Sequence, residues 1–543
     1  MELWDVNCML GRWPSADLLF HDMPGLLARM DQLGIARAVV SYTEALHLDP
    51  VAGNALFRQV WAQAEPRWKA RLWPAWVLVP PATREQGTLA ELEQALEVNG
   101  IGIARLYPRD HNYSLSSPDA AELLGLLARR QALTLLDVEQ SSWEEIDRLA
   151  AAYPALPLVA CNVGYRGLRR FAGVLARRPN VHIDLSYFGS HQGLEWLVGQ
   201  IGASQVLFGT GAPVIDGGGG VTRLLLSELS AADQAAVAAG NLQRLLAAAG
   251  LTVAVPGTQP PAPRPGGPAR TELPSAHVLR GEAIDPSAWE VIDAHAHVGP
   301  WFNFYTPEPE AESLRHVMDR CGVQMAVVSG TRAISVEPLA GNAEIKALVS
   351  CHPDRFAGYL VFNPHVPGSL EEVEAGLAAP GIVGIKIHPD VQLYSATGPL
   401  YAPLFDLAVR GKVPVLTHTF ADSAFSDPLD FEAVAGNWPD LVLILGHSGV
   451  SGEGHRRAMQ VALKHPNVYL ELCGSLTTGQ WIKEMVAAVG PERVLYGSDF
   501  PVIEMRYALG RVVFAGLAEA ELRLVLGGNA RRVLRLPPAQ AAR

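Results

Sequence analysis

The sequence repeats itself at a distance of 288 residues, and this repeat limits the possible folds more than any composition value does. At that spacing Asp5 matches Asp293, Gly53-Asn54-Ala55 matches Gly341-Asn342-Ala343, and Gly240-Asn241 matches Gly528-Asn529. The run Gly209-Thr210-Gly211-Ala212-Pro213 likewise matches Gly497-Ser498-Asp499-Phe500-Pro501. Between these landmarks the offset drifts to 280–281, as loops of differing length require. Chance matches would not keep order and offset together, so the chain is a tandem of two homologous domains. A length of 543 residues accommodates two domains of about 250 each. Residues 1–250 form the first and 289–543 the second. The stretch 251–288, rich in Pro and Gly and without periodicity, reads as an extended linker with neither helix nor strand.

Each half alternates short apolar runs with amphipathic stretches. In the second half the expected strands are 291–296, 325–329, 356–362, 383–388, 413–418, 441–446, 468–472 and 494–497, with helices such as 311–321, 342–350, 399–411 and 456–465 between them. A capping box is expected at Ser369 and Glu372. Continuous apolar strands belong to a parallel sheet buried on both faces. Eight such units in about 250 residues predict a closed (β/α)8 barrel, and hence an α/β chain of two TIM-like barrels. An open doubly wound sheet is the alternative, but no glycine-rich phosphate loop follows a first strand.

Composition removes several functions. A hydrophobic content of 49% with 18% charged residues describes a chain with large buried cores. A net charge of −12, with Lys and Arg scattered, opposes nucleic-acid and anionic-membrane partners. The five cysteines are few and odd in number and form no Cys-x-x-Cys pair, which predicts reduced thiols in a cytoplasm. The expected partner is a small-molecule substrate.

The chemistry gathers in the second half. Active sites of such barrels sit at the carboxyl ends of the strands. There the sequence places His295 and His297 on the first strand, Lys386 and His388 on the fourth, His418 on the fifth, His447 on the sixth and Asp499 on the eighth. Alternation along the first strand turns both imidazoles of His295-Ala-His297 to one face, where they can grip a divalent ion. In the first half the positions of His295, His297, Lys386, His418, His447 and Asp499 read Asn7, Met9, Arg105, Val138, Asn162 and Gly211. The chemical groups vanish as a set while the framework remains, so the first barrel reads as a degenerate copy.

With Asp293-Ala-His295-Ala-His297, Gly384-Ile-Lys386-Ile-His388-Pro389, Thr417-His418-Thr419, Gly446-His447-Ser448-Gly449 and Gly497-Ser498-Asp499-Phe500-Pro501, the second half resembles the amidohydrolase superfamily. Its nearest branch looks like the one holding aminocarboxymuconate-semialdehyde decarboxylase and related hydrolases. The resemblance implies one zinc-like ion, with manganese or iron as alternatives, bound by His295, His297, His418 and Asp499. It also implies that His447 polarises the substrate or moves a proton. Asp499 is expected to accept a proton from water and pass it on. Lys386 has two readings: a carboxylated lysine bridging a second ion, as in two-metal members, or a group that binds a substrate carboxylate or pairs with an acid. The second is favoured.

Trp301 in the aromatic loop 300–305, with His388, is a candidate lining of an apolar pocket, and Arg456 and Arg506 are candidate clamps for a carboxylate. Cys473 ends the seventh strand as a packed thiol. The expected activity is hydrolysis of an amide, lactone or similar carbonyl-centred bond. Non-oxidative decarboxylation of an unsaturated or aromatic acid is the alternative, and an inert scaffold is the reading from another class. The first barrel is expected to pack on the second as a pseudo-dimer within the chain.

Overall fold

The computed structural model describes residues 1–251 and 272–538. Two compact units divide them, one holding 1–251 apart from 190–192, the other 190–192 and 272–538.

The second unit is built on eight parallel strands paired in chain order: β10 (Ile292–Val298), β11 (Met325–Gly330), β12 (Phe356–Val361), β13 (Ile382–Ile387), β14 (Val415–His418), β15 (Leu443–Gly446), β16 (Val468–Glu471) and β17 (Val494–Leu495). The last strand returns to the first through backbone bonds, Ala294 N to Tyr496 O at 2.9 Å and Asp499 N to His295 O at 2.8 Å. The first unit repeats this plan with β1 (Leu3–Leu10), β2 (Ile35–Tyr42), β3 (Leu72–Pro74), β4 (Trp76–Val77), β5 (Ile103–Leu106), β6 (Leu133–Asp137), β7 (Leu158–Cys161), β8 (Val181–Asp184) and β9 (Val206–Leu207). Here β3 and β4 are one barrel strand interrupted at Ala75, and Val6 N to Phe208 O at 3.0 Å with Gly211 N to Asn7 O at 2.8 Å closes the circle. Both halves are TIM-like barrels, and their strands are mostly buried because both faces are covered. Among the described residues no helix is long and apolar enough to cross a membrane.

The repeat landmarks turn out to be scaffold bonds. Gly341 lies so close to the preceding short helix that an added Cβ would meet Ala333 N at 2.4 Å, and Gly53 stands likewise 2.2 Å from Ala45 N. The next residue then reaches the third barrel strand. Asn342 exchanges two hydrogen bonds with Val361 (2.9 and 2.8 Å), and Asn54 does the same with Val77 (2.8 and 3.1 Å). Asn529 donates to Val494 O at 2.8 Å, and Asn241 to Val206 O at 2.9 Å. In each case a side-chain amide satisfies buried backbone groups where the strand ladder runs out.

Two expectations need correction. Ser369 does not cap its helix through Glu372: Gly368 occupies the cap, Ser369 Oγ accepts from Asn363 N, and Glu372 takes Asn342 and Lys346. The carboxylate is drawn to stronger partners than an orphan amide. The stretch 251–288 lies mostly outside the described residues, but its end is folded and is not linker. Pro274–Leu279 forms a helix, with Pro at its first turn where no amide is needed, and Val278 and Ile284 are buried.

Asn342→Ala should lower stability by about 2–4 kcal/mol, because it strands a buried strand N–H and C=O together, and Asn54→Ala by about 1–3 kcal/mol, because Gln86 still donates to Val77 O and only the N–H is stranded. Urea unfolding measures this, and a loss under about 0.5 kcal/mol would show that the bonds carry no weight.

Candidate metal centre

The first strand delivers two imidazoles, and its neighbours aim them. A bulge interrupts β10 between Asp293 and Ala296, and β1 has the same irregularity between Asp5 and Cys8. Such bulges re-aim side chains. The rings of His295 and His297 stand nearly perpendicular, with centroids 5.0 Å apart. His295 Nδ1 lies 2.8 Å from Glu471 Oε2, and His297 Nδ1 lies 2.8 Å from Ser329 Oγ. With Nδ1 so occupied, each ring presents Nε2 toward the Asp499 carboxylate, at 4.0 Å from His295 and 3.1 Å from His297. His447 Nδ1 lies 4.0 Å from the other Asp499 oxygen. Burial holds His295 well below the usual histidine range and also lowers His297, so both offer neutral lone pairs. Imidazoles oriented by an outer carboxylate or hydroxyl, converging on one carboxylate, form a donor set suited to a divalent transition metal. The residues fit the ion that the sequence implies.

The backbone is bent to produce this arrangement. His447 and Asp499 have φ of +64°, in the left-handed region that non-glycine residues avoid, and Ser448 has +44°. Their counterparts Asn162 (+60°) and Gly211 (+66°) share the geometry. The conformation belongs to the scaffold, and the second half places reactive side chains on it.

Glu471, which the sequence reading passed over, is central. It accepts from the backbone N of His447 (3.0 Å) and of Cys473 (2.8 Å), and from Cys473 Sγ (2.9 Å). Burial pushes its carboxyl up to about 7, while these donors pull the other way. A charged residue in an otherwise apolar strand, Val468-Tyr469-Leu470-Glu471, was the available signal. Cys473 touches His295 Nδ1 at 3.2 Å and His447 Nδ1 at 3.1 Å. Its thiol is pushed far up by burial, which opposes a nucleophilic role and agrees with a packed thiol.

The other expected residues divide. His418 stands beside His447, with centroids at 4.5 Å, but stacks on His388 at 4.1 Å and lies 3.8 Å from Asp390. Two sets of mutually close donors result, His295, His447, Cys473 and Asp499 in one, His388, Asp390 and His418 in the other. His388 caps the following short helix by accepting Val391 N at 3.3 Å, and Trp301 lies over it at 6.1 Å. Lys386 is fully buried and its Nζ meets His295 Nε2 at 2.8 Å; burial lowers its amine to about 8. Arg456 and Arg506 are not brought in as clamps. Arg456 lies on the exposed side of its helix beside Glu453, at 3.3 Å, because that position faces solvent. Arg506 is enclosed, and Glu504 takes its guanidinium at 2.8 and 3.1 Å.

Strand register also corrects one correspondence between the halves. His418 pairs with Gly446 as Asp137 pairs with Cys161, so Asp137, not Val138, stands in the place of His418. The first barrel fills its centre with a different network. Arg105, at the position of Lys386, donates to Asn7 Oδ1 at 2.8 Å and to Asp137 at 2.8 Å, while Asn7 donates to Asp184 at 2.7 Å and to Asn162 at 3.0 Å. Asp184 is the counterpart of Glu471. A fixed guanidinium there meets the carboxylate of Asp137.

Glu471→Gln should weaken divalent-metal binding about 10–100-fold with little change in fold, since it orients His295 from behind. Competition with a metallochromic chelator reads this directly, and unchanged affinity would remove Glu471 from the centre.

The model of the amidohydrolase family matches residues 3–247 and again residues 292–536. An uncharacterized curated protein of Sinorhizobium fredii is 35% identical over 89 residues, covering 13% of this chain and 30% of that protein. The match thus spans under a third of the relative's length. Among solved structures, 5-carboxyvanillate decarboxylase from Sphingomonas paucimobilis is 17% identical, covering 46% of this chain and 99% of its own, at a TM-score of 0.38. 2,6-Dihydroxybenzoate decarboxylase from Rhizobium is 17% identical with the same coverage and a TM-score of 0.37. An uncharacterized TIM-barrel protein from Bordetella bronchiseptica is 18% identical, covering 46% of this chain and 99% of its own, at 0.38. Matched along both barrels from strand to strand, the chain belongs to the amidohydrolase family.

Proposed function

We propose that the second barrel is a metal-dependent hydrolase of a carbonyl-centred bond in a small molecule, and that the first barrel binds no catalytic ion. The observation that carries this reading is the set of His295 and His297, pinned through Nδ1, facing the Asp499 carboxylate with His447 on its other oxygen. His295, His297 and Asp499 would hold the ion, with His418 beside them. Zinc suits such nitrogen and oxygen donors, and manganese or iron would also be accepted. When bound, the ion supplies a Lewis acid for a carbonyl oxygen and for water.

The chain's own groups do the rest. Asp499 is nearly enclosed, with 6% of its surface exposed. It can accept a proton from an attacking water and return it to the leaving group. His447, also nearly enclosed, can hydrogen-bond the carbonyl oxygen as negative charge develops there. Glu471 holds the backbone of His447 and the ring of His295 in place from behind. Lys386 Nζ, 2.8 Å from His295 Nε2, would have to release that nitrogen for an ion to be held there.

Metal analysis of the whole chain should find about one divalent ion. Asp499→Asn and His447→Asn should each lower turnover about 10²–10⁴-fold on an amide, ester and lactone panel, the magnitude of a lost proton-transfer group. Asp499→Asn should also lose metal, whereas His447→Asn should retain it. Two ions per chain, or full activity of His447→Asn, would overturn the assignment. Release of carbon dioxide from an unsaturated or aromatic acid, without hydrolysis of the panel, would replace it with decarboxylation.

A further inference from the structure

Four consecutive residues after β15, His447 to Val450, hold left-handed backbone, with φ of +64°, +44°, +81° and +66°. Glycine takes such angles freely, Ser448 does so rarely, and for the β-branched Val450 they are an outlier. Val450, with ψ of −48°, is the centre of a tight turn in which Ser451 N donates to Gly449 O at 2.8 Å. That is the strained hand of the three-residue turn. A run of this kind persists only where its surroundings over-determine it.

The surroundings grip it from three sides. Thr419 Oγ1, one residue beyond His418, accepts from Gly449 N at 2.8 Å and donates to Gly446 O at 2.7 Å. On the side of β16, Ser448 Oγ donates to Glu471 O at 2.8 Å and accepts from Glu471 N at 3.1 Å. The third grip is His455, in the helix Gly452–Lys464, whose Nδ1 stands 2.8 Å from Ser448 O. His455 is wholly buried, and burial lowers its imidazole to about 4, so the ring is neutral near pH 7 and carries one hydrogen. A carbonyl can only accept, so that hydrogen is on Nδ1, and Nε2 accepts from Thr477 Oγ1 at 3.3 Å. The loop holding Thr477 lies close against the run: a Cβ added to Gly474 would meet His447 O at 2.6 Å.

The first barrel shows how much of this the scaffold needs. Counting on from the equivalent strand ends Gly446 and Cys161, Asn162, Val163, Gly164 and Tyr165 stand for His447 to Val450, and Arg170 stands for His455. Of the first four only Asn162 is left-handed; Gly164, free to be so, has φ of −78°. Val163 has no hydroxyl to offer the neighbouring strand, and Arg170 is exposed. A closed barrel thus requires the first left-handed residue alone. The rest of the strained run and its buried histidine go with the half that keeps the reactive side chains.

We infer that His455 is a positioning residue of the second site: its Nδ1–H anchors the carbonyl of Ser448 and keeps the left-handed run in the conformation that presents the His447 imidazole to the metal centre. The inference deepens the proposed role of His447 at the substrate carbonyl, and rests on it for the effect on turnover only.

The test uses variants of the full chain. His455→Leu removes the anchor, whereas His455→Asn keeps an N–H donor near the place of Nδ1. H455L should lower kcat on the amide, ester and lactone panel about 10–100-fold with KM little changed, the effect of a displaced catalytic group. H455N should restore most of that loss. In the H447N background the change to leucine should cost nothing further, because His455 acts through His447. A second measurement needs no substrate. The ring resonances of His447 in histidine-labelled protein, assigned by their absence in H447N, should shift in H455L and return in H455N. Wild-type kcat or unmoved His447 resonances in H455L would overturn the inference, as would an equal loss of turnover with and without His447. Should H455L not fold, His455→Gln, whose longer side chain reaches Thr477 and not Ser448, takes its place. A wild-type chain that hydrolyses nothing on the panel overturns the hydrolase reading, and the His447 resonances then still decide the role of His455.

Discussion

Both barrels close around a buried carboxylate near the start of their first strand, and in the second site the placing of His295 and of the turn that carries Asp499 depends on it. Asp293 accepts from the backbone N of His295 at 3.0 Å, from the backbone N of Ser498 at 3.0 Å and from the Ser498 hydroxyl. It thereby fastens the strand bearing the two imidazoles to the turn bearing Asp499. Asp5 does the same with Asn7 (2.8 Å) and Thr210 (3.0 Å) in the first barrel. Burial pushes Asp293 up to about 7 and Asp5 to about 6, and the converging donors oppose that rise. An ionised carboxylate can be kept in such a place only if all its lone pairs are satisfied. This explains why the residue persists in both halves while the chemistry does not.

On that frame the two barrels show two ways to neutralise a polar centre inside a closed sheet. The second half gathers imidazoles, the carboxylates of Asp499 and Glu471, and the buried amine of Lys386 beside His295. The first half puts a guanidinium in the place of that amine. Burial alone would weaken the charge of Arg105, yet Asp137 beside it keeps the guanidinium firmly protonated. Asn7 links that guanidinium to Asp184, the counterpart of Glu471. The loss of histidines in the first half is therefore a replacement of one polar network by another, of similar place and comparable satisfaction. Removing one partner from either network would leave a buried charge alone, which is far more costly than replacing the whole set.

Much of the site was legible because strand ends in a (β/α)8 barrel all reach one rim. Once the eight apolar runs are counted, His295, His297, His447 and Asp499 must share that rim, and the structure brings them together. Sequence spacing served less well where a side chain has more than one available partner. Arg506 looked like a clamp until Glu504 was seen beside it, and Ser369 looked like a cap until Asn363 claimed its hydroxyl. Glu471 went unread because a single acid in an apolar strand resembles an edge position until its burial is known.

The sequence by itself determined the tandem, the barrel topology and the residues available at the rim, because periodicity and the 288-residue offset record which positions face inward and which segments correspond. Only the tertiary structure decided which nitrogen of each imidazole turns toward Asp499, that Glu471 and Ser329 stand behind them, and that Asp137 occupies the place of His418. Those facts depend on strand register and on bonds between residues 32 and 176 positions apart. A one-residue shift in a parallel ladder changes a partner without changing any local pattern.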